Sequence, residues 1–366
     1  MNEKLQYAHG GDIYRISEVY GIGLEEILDY SSNINPLGLP EEIKEVIINN
    51  MDKLTCYPDT FCSDLRKEIS GYLDVPFDSI IVGNGAVEVI FLYLDTVRPG
   101  KLLIPVPAFS EYERSARMLG LEVEFLELRE ETGFTLDSDS ISDRVLNGIE
   151  ALFLCNPNNP TSTLLNRSDL LNILDFTAAK NIKVVVDETF IELTPEGNKN
   201  SLADSVREYE NLFIVRAFTK IFSMPGIRLG YGIGNENIIR KMWDKKMPWS
   251  VNSFACMAGH VLNHGNAYLR RTGEWLKEET EWFFLELNKI AGLKVFKPQT
   301  NFILIKILRD KLTSARLKDD MAKKGILIRD ASNFRGLNEK YIRIAVKDRE
   351  SNLKFLKVLK EILGWV

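Results

Sequence analysis

Seven short apolar runs recur between residues 79 and 233, at 79–82, 101–105, 123–128, 151–155, 183–186, 212–215 and 230–233, and no other feature limits the fold as much. Several are continuous rather than alternating; Val184, Val185 and Val186 are one example. That is the pattern of strands covered on both faces in a mostly parallel sheet. The stretches 86–96, 109–119 and 168–180 between them carry apolar residues at helical spacing. In the last, Leu170, Leu171, Ile173, Leu174 and Phe176 form the apolar side, and Ser168 is the expected N-cap. Alternation of strand and helix implies an α/β fold, a mostly parallel seven-stranded sheet sandwiched by helices.

Past residue 262 the pattern changes. A long charged helix at 267–290 leads into strands near 293–296, 301–307, 326–329 and 341–345, with a helix at 314–324 ended by Gly325. This reads as a smaller α+β domain. The expected division is an N-terminal arm at 1–39 packing on the small domain, a large domain at 40–262 and the small domain at 263–366. Of the 366 residues 45% are hydrophobic and 27% charged, with a net charge of -6 and no basic run, so neither nucleic acid nor an anionic membrane surface is an expected partner. Residues 1–9 show no apolar leader region, and no apolar run approaches the length of about 18 residues that suggests a membrane span. The four cysteines, Cys56, Cys62, Cys155 and Cys256, lack zinc-ligand spacing and read as free thiols of a cytoplasmic protein.

Polar residues stand repeatedly just after the expected strands, where ligands sit in open α/β sheets. Gly83-Asn84-Gly85-Ala86 opens an apolar helix, and its free N–H groups suit a phosphate, although a plain strand-to-helix turn would look the same. Asn156-Pro157-Asn158-Asn159-Pro160 is a turn in any case, and one of its asparagines could point a neutral donor into a site. Asp187 closes a buried run, where a carboxylate is costly unless paired with a cation or a proton; a pyridinium nitrogen is one such partner, and a strand-end salt bridge is another. Lys220 follows Thr219 among apolar neighbours that would favour its neutral, nucleophilic form, and Arg228 downstream could clamp a dianionic phosphate.

The ordered series Gly-Asn-Gly, Asn-Pro, Asp, Lys, Arg resembles the fold-type I enzymes that use pyridoxal 5'-phosphate (PLP), closest to the histidinol-phosphate aminotransferase branch, over nearly the whole chain. The resemblance implies that Lys220 holds PLP as a Schiff base, that Asp187 pairs with the pyridine nitrogen and that Asn159 hydrogen-bonds the ring hydroxyl. It implies further that Phe109 stacks on the ring and that the backbone of Gly85 and Ala86, with Thr219 and Arg228, binds the cofactor phosphate. Tyr57, in Tyr-Pro-Asp, matches a tyrosine that reaches the neighbouring subunit's cofactor, which implies a homodimer. Arg343, in Tyr-Ile-Arg-Ile-Ala, matches the arginine that holds the substrate carboxylate.

Within that branch, His9-Gly10-Gly11, the run Asn33-Ile34-Asn35-Pro36-Leu37-Gly38 and the segment from Ile328 through Arg329 to Phe334 resemble the threonine-phosphate decarboxylases, which make 1-amino-2-propanol phosphate for cobalamin. That likeness implies a phosphorylated amino acid as substrate, with His9, Asn33, Asn159, Arg329 and Arg343 as its ligands. Two positions depart from the common pattern. Phe190 in Asp187-Glu188-Thr189-Phe190 replaces a tyrosine whose hydroxyl usually touches the ring oxygen, and Ala217 replaces a phosphate-binding serine. The leading expectation is decarboxylation of O-phospho-L-threonine, with O-phosphoserine as another substrate. An aminotransferase acting on histidinol phosphate or an aromatic amino acid is the alternative. A non-catalytic protein of the same fold is disfavoured by the intact lysine, aspartate and arginines.

Overall fold

The computed structural model describes residues 9–136, 141, 148–264 and 266–365; residues 1–8, on which most of the expectation about a leader rests, lie outside them. After the short strand Leu28–Asp29 (β1) come the strands of the large sheet: Ile80–Asn84 (β2), Lys101–Val106 (β3), Glu122–Glu127 (β4), Ala151–Cys155 (β5), Lys183–Asp187 (β6), Leu212–Ala217 (β7) and Leu229–Gly234 (β8). Their order is β2-β8-β7-β6-β5-β3-β4. All neighbours are parallel except β8, which runs antiparallel to both β2 and β7.

Continuous apolar runs result because both faces of this sheet are covered. Val184 and Val186 enter one hydrophobic cluster with Leu152, Leu154 and Ile214, while Val185 enters the other with Phe153, Phe213 and Val215. All three valines are fully buried, each contributing about 1.5–3 kcal/mol relative to exposure. The helix Arg167–Ala178 buries Leu170, Ile173 and Leu174, but Leu171 and Phe176 are only partly covered. Its cap also differs from expectation. Asn166 accepts the Asp169 N–H at 2.9 Å, whereas Ser168 lies inside the first turn and donates to Asn166 at 2.6 Å. The amide oxygen two residues earlier is as good a cap, so the helix starts there.

The second sheet is antiparallel, in the order β12-β13-β10-β9, from Arg329–Asp330 (β12), Tyr341–Ala345 (β13), Phe302–Ile307 (β10) and Leu293–Val295 (β9). The expected single strand at 326–329 is in fact two. Ile326–Leu327 (β11) pairs in parallel with β1, and the chain then turns so that β12 joins β13. The helices Asn266–Asn288 and Arg349–Ile362 contribute Phe283, Leu287, Phe355 and Leu359 to the core beneath Ile303, Ile305, Ile342 and Ile344. The four cysteines are free thiols. Among the described residues no helix is long and apolar enough to cross a membrane.

Candidate active site

The carboxyl ends of β5, β6 and β7 open into a cavity of about 780 Å³, whose far side is built from β12, β13 and the N-terminal segment. It is lined by His9, Asn33, Ala86, Phe109, Asn159, Asp187, Thr219, Lys220, Arg228, Arg329 and Arg343. Eleven of the residues singled out in the sequence therefore meet in one place. Phe190 and Ala217 line it too.

On the side of the large sheet, strand period decides which groups face the cavity. Asp187 ends β6 and faces in. Its neighbour Glu188 faces away into a fully buried ion pair with Arg216 at 2.9 Å, with Ser201 and the Leu202 N–H as further donors. Asp187 Oδ1 accepts the Thr189 N–H at 2.9 Å and Oδ2 accepts the Tyr112 hydroxyl at 2.6 Å. Burial pushes the Asp187 carboxyl up, and those hydrogen bonds pull it back. Lys220 sits on the single turn Phe218–Ile221 after β7. Burial, and then the Arg343 guanidinium, bring its ammonium down to about 8.

Gly85 lies at φ +81°, and a Cβ there would stand 2.3 Å from Arg228 Nη2. Only glycine allows both the backbone angle and the approach of the guanidinium. Gly230 on β8 is needed for the same loop, since a Cβ on it would meet Ala86 N at 2.3 Å. Arg228 itself has φ +60°, a left-handed conformation that is costly for a side-chain-bearing residue. The helix N-terminus at Ala86 and the exposed guanidinium thus bracket a small anion site.

Of the asparagines after β5, Asn156 bonds the backbone of Leu165 and Asn158 donates to Pro107 O and Thr161. Asn159 instead lines the cavity, its Oδ1 accepting from Arg343 Nη1 at 2.5 Å. That leaves its amide N–H groups as donors.

The opposite side is dominated by positive charge. Arg329 and Arg343 stand directly opposite each other across β12 and β13, and both are buried. Burial lowers Arg329 to about 10. Burial, then Arg329, lowers Arg343 to about 9. Arg329 reaches Asp330 O and Asn333 Oδ1, both at 2.7 Å, and Arg343 Nη2 reaches Ser31 O at 2.7 Å. Arg343 Nε and Asn33 Oδ1 are buried with no hydrogen-bond partner among the described residues. His9 Nε2 meets Glu111 Oε1 at 3.0 Å beside the Phe109 ring.

Two expected residues are placed differently. Gly85 shapes the anion site from behind Ala86 and Arg228. Tyr57 is 80% exposed, lies against Trp249 at 4.7 Å and is outside this cavity. Glu111, Tyr112 and Cys155 line the cavity but were not anticipated. The spacing of Phe109 and Tyr112, one helical turn apart, was the signal that could have found the tyrosine.

A half-buried lysine of lowered proton affinity and a buried aspartate lining one cavity, with an anion site to one side and an aromatic ring at hand, fit PLP by their own chemistry. The unpartnered Asn33 and Arg343 atoms add polar capacity for a substrate.

Comparison with known proteins agrees. The profile of aminotransferase class I and II matches residues 25–359. A protein of Caldanaerobacter subterraneus subsp. tengcongensis, provisionally named threonine-phosphate decarboxylase, is 41% identical over 98% of this chain and 95% of its own. Threonine-phosphate decarboxylase of Salmonella typhimurium is 34% identical (97% and 96%), and histidinol-phosphate aminotransferase of Methanothermobacter thermautotrophicus 33% (99% and 96%). Among solved structures, a histidinol-phosphate aminotransferase from Clostridium acetobutylicum superposes with a TM-score of 0.86 at 38% identity, covering 93% of this chain and 100% of its own. L-threonine-O-3-phosphate decarboxylase from Porphyromonas gingivalis gives 0.81 at 28%, covering 92% and 99%. The chain belongs to the class I and II aminotransferase family, as a fold-type I PLP-dependent enzyme related to both the threonine-phosphate decarboxylases and the histidinol-phosphate aminotransferases.

Proposed function

We propose that the protein decarboxylates O-phospho-L-threonine, and O-phosphoserine as a second substrate, to the corresponding amino-alcohol phosphate. The Arg329–Arg343 pair carries this reading. Two buried arginines directly opposite one another repel; Asp330 beside Arg329 and Asp29 near Arg343 offset part of that cost, and bound anions would offset more of it. A substrate with both a carboxylate and a phosphate supplies those anions.

Arg343 would take the carboxylate, and Arg329, His9 and Asn33 the phosphate. Phe109 would cover the cofactor ring, Asn159 donate to its hydroxyl and Asp187 face its nitrogen. Arg228, Thr219 and the backbone of Gly85 and Ala86 would hold its phosphate, with the Ala86 N–H as donor since the Gly85 N–H meets Gly83 O at 2.8 Å, and Lys220 would bond it and move a proton at the substrate Cα. PLP, when bound, supplies an electron sink that weakens whichever Cα bond stands perpendicular to its ring. By fixing the carboxylate, Arg343 therefore selects the bond that breaks. Phe190, packed edge-on against Phe302 at 5.0 Å, offers the ring no hydroxyl, which supports a site unlike that of the common transaminases. The enzyme works as a homodimer in this reading, the exposed Tyr57 reaching the partner's cofactor.

A second reading, transamination of histidinol phosphate, is favoured by the comparisons. The Clostridium structure has a higher TM-score than the Porphyromonas decarboxylase, and further methanogen relatives bear the aminotransferase name. The same arginines suit a phosphorylated amine and a dicarboxylic acceptor. Purified enzyme with PLP and O-phospho-L-threonine separates the two. CO2 released without any 2-oxo acid supports decarboxylation. Glutamate formed from histidinol phosphate and 2-oxoglutarate, with no CO2 from phosphothreonine, supports the second reading and overturns the first.

A further inference from the structure

Tyr112 is a polar group in the cavity to which neither reading gives a task. It lies on the helix Ser110–Met118, is fully buried and is held on both sides by aromatic rings. Its ring stacks on Phe153 at 4.0 Å and meets Phe109 edge-on at 5.7 Å. Packing of that kind would be served as well by phenylalanine, and a buried hydroxyl is costly unless it is bonded. Here the hydroxyl is spent on one atom of consequence, Asp187 Oδ2, at 2.6 Å.

Asp187 needs that bond. Among the described residues no cation is paired with it, and the next carboxylate along the chain, Glu188, raises its proton affinity further. Its other partner is the Thr189 N–H on Oδ1, and the Cys155 thiol at the end of the adjacent strand is the remaining titratable neighbour of the pair. A hydroxyl that donates to a carboxylate favours the ionised form. Burial and Asp187 together hold the tyrosine's own proton firmly in place.

We propose that Tyr112 is a positioning residue that keeps Asp187 ionised and thereby sets how fully the ring nitrogen of the bound cofactor is protonated; this rests on the assignment of PLP to the cavity. If Asp187 loses the hydroxyl it becomes the stronger base and draws the shared proton to itself. The ring then withdraws electrons less strongly from the substrate Cα, whichever bond breaks there. The effect lies on the chemical step, so kcat falls while KM, set by the arginine side of the cavity, holds.

The test uses the holoenzyme reconstituted with PLP carrying nitrogen-15 in its ring, as wild type and as Tyr112→Phe, which keeps the aromatic stack. The expected result is a ring-nitrogen resonance displaced toward the unprotonated position in the variant, with kcat lower by about tenfold, the equivalent of one pKa unit, and KM within about twofold. A variant whose resonance stays at the wild-type position overturns the proposal, even if its melting temperature falls, because a packing role alone would lower stability without moving the proton. Should Tyr112→Phe not fold, Phe153→Leu loosens the same ring while leaving the hydroxyl and Asp187 intact. An intermediate displacement then supports the proposal and none overturns it. Wild-type protein that shows no bound ring-nitrogen signal removes the cofactor assignment, and the proposal with it.

Discussion

The two walls of the cavity are built on opposite principles. The wall from the large sheet consists of strand ends, where most polar groups are answered by a neighbour: Asp187 by Tyr112 and the Thr189 N–H, Glu188 by Arg216, and Asn156 and Asn158 by backbone, while the buried Thr189 Oγ1 has no partner among the described residues. The wall from β12, β13 and the N-terminal segment sets Arg329 against Arg343 and leaves Arg343 Nε and Asn33 Oδ1 unanswered among the described residues. A wall whose main polar groups are already bonded is held in place before any ligand arrives, as suits a cofactor site. A wall with facing arginines and open polar atoms has capacity left for what binds to it. In the proposed reading, cofactor chemistry and substrate choice are thus carried by different parts of the molecule.

That contrast breaks first at Lys220. Lys220→Ala should abolish the near-violet absorbance of lysine-bound PLP and all turnover, and a persisting band would remove the lysine from the cofactor wall. On the other wall, Arg343→Gln should leave that band intact but lower kcat/KM by about 100- to 1000-fold, the cost of removing one partner of a buried charge interaction, with steady-state kinetics as the check. An equal loss of the band would show the walls to be one unit.

The pH dependence of cofactor capture sharpens the comparison. With its ammonium at about 8, Lys220 is mostly protonated at pH 7 and mostly neutral at pH 9, so stopped-flow capture of PLP by the apoenzyme should speed up by about tenfold across that interval. A flat profile would mean that the desolvation and nearby guanidinium that lower the Lys220 ammonium do not govern its reactivity.

The smallest effect concerns what joins the walls. Glu130, just past β4, binds Lys294 at 2.7 Å and Lys306 at 2.6 Å, and accepts the Tyr341 hydroxyl, from three strands of the second sheet. Burial alone would raise its pKa, but these three partners outweigh it and hold the carboxyl at about 2. A depressed carboxylate stabilises the fold above its unfolded pKa, near 4.3, and that contribution is lost as pH falls toward 2. Glu130→Gln should therefore cost about 1–2 kcal/mol in denaturant titrations at pH 7 and much less at pH 2. An equal cost at both pH values would assign the effect to packing.

The large wall was legible in the sequence because its residues follow strands that announce themselves as apolar runs. Asp187, Lys220 and Arg228 needed only their order along the chain. Asn159 could not be told from Asn156 and Asn158 by turn chemistry, since the difference lies in which amide meets backbone and which meets Arg343. The second wall is assembled from His9, Asn33, Arg329 and Arg343, far apart in the chain, and local spacing does not register such meetings; resemblance supplied them. The split at 326–329 was invisible because periodicity reports which face a residue takes, not which sheet it joins. Tyr112 was missed because an aromatic at helical spacing looks like core, and most of it is core.

The most direct test of the two-wall account is the ratio of kcat/KM for O-phospho-L-threonine over L-threonine, measured as CO2 release by wild type and by Arg329→Gln, each with its PLP absorbance recorded. The account predicts a wild-type preference for the phosphorylated substrate of about 1000-fold or more, consistent with a lost charge-assisted contact of about 4 kcal/mol or more, falling steeply in the variant while the absorbance is unchanged. Comparable turnover of both substrates by the wild type, or a preference that survives in Arg329→Gln, would contradict it.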